Sequence, residues 1–164
     1  MPLVKGGEIV QDPWTSVPDD VETIPEGDHL LLGLDLWTRH KVELCKRGGP
    51  FAVRLAPHQG PELIASDLPH FDMIALEFPA FTDGRAYSHA RLLRERLGFE
   101  GEIRAVGDVL LEQLFFMHRA GFDAFEIDSA DPIQDWKTAF ADIDVLYQPA
   151  ADGQPTATQL RWKR

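Results

Sequence analysis

The segment FPAFTDGRAYSHARLLRER, residues 78–96, places Arg85, Arg91 and Arg94 with Tyr87 and Ser88 in a chain of formal net charge -11. A guanidinium in the first turn of a helix, beside backbone N–H groups that have no helical partner, can hold sulfite, phosphate or a substrate carboxylate. Arg85 stands there, with the hydroxyls of Thr82 and Ser88 close by in sequence. Asp83 is also a natural N-cap, and pairing of Arg85 with Asp83 or with Glu77 is the more ordinary use of such an arginine. At 100° per residue Ser88, Arg91 and Glu95 share one helical face and Tyr87 lies near Arg94 on another, both outside the apolar stripe of Ala86, Ala90, Leu93 and Leu97. Two readings follow for Arg91 and Arg94. They form a docking surface for an acidic partner, or a solvated face in which the Arg91–Glu95 pair adds about 0.2–0.5 kcal/mol.

Other chemistry is sparser. Asp108, Asp128 and Asp131 can supply carboxylates for proton transfer or for magnesium, and each also stands where a helix needs an N-cap. Of the six histidines, none in HxH or HExxH spacing, His58 alone falls at a strand end, as a catalytic base would. Tyr87 and Asp108 are the other candidates for moving a proton. Cys45 is the single cysteine, which rules out an internal disulfide and any self-contained cluster or zinc site of cysteines. No GxGxxG follows a strand, and neither GxxxxGK[ST] nor GxSxG occurs, so no intrinsic cofactor is expected.

The elements that must position these groups alternate. Residues 51–55 (FAVRL), 72–78 (DMIALEF), 102–106 (EIRAV) and 123–127 (DAFEI) read as strands, and 145–149 (VLYQP) as a last one. Helices are expected over 36–47, 84–98, 109–120 with Asp108 as N-cap, and 133–143 behind Asp131 and Pro132, with a short crossover helix between the first two strands. Connections too long for hairpins argue for an α/β domain with a mostly parallel sheet, either an open doubly wound sheet or a partial (β/α) barrel. Functional groups then gather beyond the carboxyl ends of the strands. The expected organisation is an N-terminal arm over 1–29 that packs on the domain, one α/β domain over 30–148, and an extended tail over 149–164.

With 16 basic against 27 acidic residues, the chain repels phosphate backbones and anionic headgroups, so neither nucleic acid nor a membrane is an expected partner. HLLLGLDLW, the longest apolar run near the start, falls short of a membrane span and is broken by Asp35; MPLVKGGEIV lacks the apolar core of a secretory signal. A cytoplasmic location is the expectation.

The stretch FPAFTDGRAYSHARLLRERLGFEGEIRAVGDVLLEQLFFMHRAGFDAFEI, residues 78–127, with GGPFAVRLAP before it and YQP after it, resembles a bacterial domain-of-unknown-function family. The genes of that family often neighbour those of sulfite reductase and assimilatory sulfate reduction. Motif residues of that family fall here at Thr82, Asp83, Arg85, Arg94, Arg104, Gly107, Asp108 and Gln113, among others. The resemblance implies an oxidoreductase label and a place in sulfite reduction, without a catalytic set to transfer. The resulting expectation is an accessory protein of sulfite reduction that binds a partner reductase or a small anion through residues 82–94. The alternatives are an enzyme acting directly at a strand-end pocket and a structural protein without a ligand site.

Overall fold

A computed structural model describes residues 1–141 and 145–161. Parallel pairings run in sequence order through β3 (Thr15–Ser16), β4 (Leu30–Gly33), β5 (Phe51–Leu55), β6 (Phe71–Phe78), β7 (Glu102–Gly107) and β8 (Ala124–Glu126). Two N-terminal strands, β1 (Leu3–Lys5) and β2 (Glu8–Val10), add to the β8 edge in antiparallel sense, giving the order β2-β1-β8-β7-β6-β5-β4-β3. The fold is therefore mixed α/β. Strand order never reverses along the parallel part, so the doubly wound alternative is wrong and the sheet is a curled half-barrel.

Chain geometry requires that curl. Eight strands laid flat at the usual spacing would put β2 and β3, the two edges, about 34 Å apart. Residues 11–14 alone join these edges, and so short a link spans no more than about 18 Å. The sheet must bend until its edges approach, and residues 11–14 then cross its concave face as a strap. Asp12 in the strap accepts a hydrogen bond from Arg104 Nη1 at 2.8 Å, and Trp14 packs against Leu31, Ala52, Met73, Ala75 and Val106 on that face.

The opposite, convex face carries the helices. α1 (Leu34–Arg47) starts directly from β4, α2 (Arg85–Arg91) runs into a π-helical turn over Leu92–Arg96, and α3 (Leu111–Ala120) and α4 (Pro132–Ala141) follow β7 and β8. Leu36, Trp37 and Leu44 of α1, Ala86 and Ala90 of α2, and Leu114 and Met117 of α3 pack on Val53, Ile74, Leu76, Ile103 and Phe125. The alternation of the strands explains the two layers: in β6, Ile74, Leu76 and Phe78 face the helices, whereas Met73 and Ala75 face the strap, and an irregularity in the β5–β6 register before Met73 returns Phe71 to the helix side.

Several expectations need correction. Residues 145–149 form no strand, because they lie against the C-terminal segment instead of a sheet edge. The tail is not wholly extended, since Thr156 Oγ1 accepts from Gln159 N–H and opens α5 (Ala157–Arg161). The crossover before β6 is two 3-10 turns, Pro61–Ile64 and Leu68–His70, each begun by or containing a proline. The helix expected over 133–143 is seen to Ala141, and its last two residues lie outside the described ones. Asp131 does cap that helix, accepting Gln134 N–H at 3.0 Å. No helix among the described residues is long and apolar enough to cross a membrane.

Candidate functional site

The expected site residues separate into three environments. The first is the loop from β6 to α2. Asp83 accepts from both Nε (3.0 Å) and Nη2 (2.6 Å) of Arg85, and from the Arg85 backbone N–H at 3.2 Å. These bonds, led by the guanidinium itself, hold the Asp83 carboxyl down at a pKa of about 2 and push that of Arg85 up. Of the two roles open to Arg85, the structure displays the pairing with Asp83. Thr82 and Ser88 are exposed on either side.

The second environment is the helical segment that follows. Ser88 and Arg91 line an open groove of about 390 Å³ with Glu62, Glu95 and Arg96. Arg91 pairs with Glu95 at 3.1 Å, both exposed. Arg94 has turned inward. Its guanidinium donates to the carbonyls of Phe99 (2.6 Å), Gly101 (2.8 Å) and Gly121 (3.0 Å) and pairs with Asp123, leaving the side chain 17% exposed. Arg91 and Arg94 thus do not share one surface. Tyr87, on the face of Arg94, packs edge-on to Phe78 and Phe122, and burial raises its hydroxyl pKa.

The third is the turn between β7 and α3. Asp108 is not the helix cap that its position suggests; Leu110 is the N-cap residue, and its N–H is taken by Gln113 Oε1 at 3.2 Å. Asp108 instead accepts the backbone N–H of Phe81 at 2.8 Å, while Gln113 Nε2 donates to the Phe81 carbonyl at 2.9 Å. Gly107 makes this possible. It sits at φ 95°, and a Cβ there would lie 2.4 Å from the Phe78 carbonyl oxygen, which accepts the Asp108 N–H at 2.8 Å. Asp108 from the turn and Gln113 from the start of α3 therefore clamp the backbone of Phe81, a residue 55% exposed, and Leu110 between them is exposed as well. His58 stands apart, exposed in the loop after β5.

Residues on the inner face, outside the expected site, form two further groups. Arg104, only 1% exposed, meets Asp12, Glu102 and Glu126, and Lys5 meets Glu102 at 2.8 Å. Burial alone would lower the Arg104 pKa, but its contacts with Asp12 and Glu102 outweigh that and raise it; burial raises that of Glu126. Beyond Arg104, at the carboxyl ends of β4, β5 and β6, is a cavity of about 160 Å³ lined by Asp19, Gly33, Asp35, Arg54, Gln59 and Glu77 among others. A signal for both groups stands in the strands themselves: FAVRL and EIRAV each carry one arginine amid apolar residues, and register sets Arg54 and Arg104 on either side of Ala75. A wider groove of about 430 Å³ lies against α5, away from the strand ends.

Residues 52–157 match the family described as bacterial protein of unknown function (DUF934), and the chain belongs to that family. No curated protein and no solved structure matches the chain.

Proposed function

We propose that this member of the family is an accessory protein of assimilatory sulfite reduction that docks on a partner reductase through Phe81 and the outer surface of residues 82–91. The pathway rests on the resemblance carried by residues 78–127. The docking rests on one observation, the clamp on Phe81. Asp108 and Gln113 hold the backbone of a residue that is left 55% exposed, and an exposed aromatic side chain on a held backbone suits the apolar centre of a protein interface. Leu110 extends the apolar centre, and Arg85, Thr82, Ser88 and Arg91 make a polar rim. The pairing of Arg85 with Asp83 favours a protein partner over free sulfite, since the cation is already met by a carboxylate.

Binding kinetics of the full chain on immobilised assimilatory sulfite reductase test this reading. Phe81→Ser should weaken binding by roughly 10- to 30-fold through faster dissociation. Arg91→Glu should mainly slow association, and added salt should do the same to the parent protein. Absence of binding by the parent protein rejects the reading, and equal binding by a folded Phe81→Ser variant rejects Phe81 as its anchor.

A further inference from the structure

We infer that the cavity at the carboxyl ends of β4, β5 and β6 is a binding site for a compact zwitterion of the α-amino acid class. Its place follows from topology: Gly33 ends β4 and pairs in register with Arg54, and Glu77 lies on β6 beyond Ala75, the register partner of Arg54. In singly wound α/β sheets this end, where strands feed helix N-termini, is where ligands are held. A volume of about 160 Å³ corresponds to roughly five waters, and so to a molecule of about five to seven non-hydrogen atoms.

The wall offers two poles. Arg54 donates through Nη2 to Asp19 at 2.8 Å, which fixes the guanidinium and leaves its other N–H groups without partners among the described residues. Asp19 lies so close to Gly33 that a Cβ there would come within 2.1 Å of its Oδ1, so a side chain at this position would push the Asp19 carboxylate aside. Gln59 has its carbonyl oxygen engaged by Ala56 N–H at 2.9 Å, which frees its amide N–H groups to donate. α1, 14 residues long, opens at Leu34 beside the cavity with no side-chain cap. Arg54, the Gln59 amide and these N–H groups together suit a carboxylate. The negative pole is Glu77 on β6 with Asp35 in the first turn of α1, neither having a hydrogen-bond or ion-pair partner among the described residues; these suit an ammonium group. A simple anion would meet two free carboxylates, and a simple amine would leave the donors of Arg54 and Gln59 unused. A zwitterion satisfies both poles.

The test is a titration of the ¹⁵N-labelled full chain with serine and glycine, with methylamine and acetate as single-charge controls. Serine should give saturable shifts of the Gly33, Leu34 and Asp35 backbone amides and the Gln59 side-chain amide. Glu77→Gln and Asp35→Asn should each weaken binding about tenfold, the loss of one charge-assisted contact, with the melting temperature checked for both. Gly33→Ala, which displaces Asp19, should also weaken it. Saturation by methylamine or acetate as tight as that by serine overturns the zwitterion assignment. Absence of saturable shifts with either amino acid in the tens of millimolar overturns the site.

Discussion

Arg91→Met and Arg94→Met, three residues apart on one helical segment, should differ several-fold in their effect on stability. Arg94 makes three bonds to backbone carbonyls, at 2.6, 2.8 and 3.0 Å, and an ion pair with Asp123, whose carboxylate also takes Ile103 N–H at 2.9 Å. It thereby ties the loop at residues 99–101 to the turn at 121–123. A hydrogen bond from a charged group contributes about 1.5–3 kcal/mol net, and water recovers part of the sum at a partly open site. The expected loss for Arg94→Met, which keeps the stem, is about 3 kcal/mol, or roughly 6–12 °C in melting temperature for a chain of this size. Arg91 is 56% exposed and meets Glu95, itself 43% exposed, so its loss should cost about 0.3–0.5 kcal/mol. Urea unfolding followed by far-ultraviolet circular dichroism measures both. A loss below about 1 kcal/mol for Arg94→Met, or equal losses for the two variants, refutes the inward network as a fastening of these loops.

Three further outcomes are expected. The Asp83 carboxyl should titrate near pH 2 by NMR and return toward the ordinary carboxylate range in Arg85→Gln; because the folded value lies below the unfolded one, the pair stabilises above about pH 4 and is lost as pH falls toward 2. Arg104→Met leaves Asp12, Glu102 and Glu126 without their shared cation and should cost about 3–5 kcal/mol in urea unfolding, with faster proteolysis at residues 11–14; unchanged cleavage there would show that Asp12 does not pin the strap. Gly107→Ala combines a left-handed backbone with a contact at 2.4 Å and should cost about 1–3 kcal/mol or more, measured by the same unfolding and accompanied by shifts at the Phe81 amide.

The central strands are legible in sequence because FAVRL, DMIALEF and EIRAV are apolar runs bounded by glycine, proline or aspartate. β4 is not, since LLLG passes into LDLW with no loop between them and the two read as one apolar run. β1 and β3 are invisible for another reason: strands of two or three residues are fixed by their partners more than by their own pattern. Helical spacing does put Arg94 on the face of Tyr87, but it cannot say that this face is covered, because the covering residues, 99–101 and 121–123, come from later loops. Nothing local marks Asp108 as a clamp either. A single aspartate before a helix looks the same whether it caps that helix or reaches back to Phe81. Asp19, from the Pro- and Asp-rich start of the chain, joins Arg54 only once β3 has paired with β4 and β4 with β5.

The strap has a consequence for how the chain is made. Residues 1–14 leave the ribosome before the strands they pair with, for Leu3 pairs with Glu126, and Asp12 with Arg104, more than ninety residues downstream. The βα units from β4 to β7 can settle as each is completed, because neighbours in sequence are neighbours in space. The N-terminus has no seat until β7 and β8 emerge. Folding therefore closes on a segment synthesised well before its partners, and this long loop closure makes its docking the slow step expected of distant strand pairings. Until then the concave side, with Met73 and Val106, remains open to water.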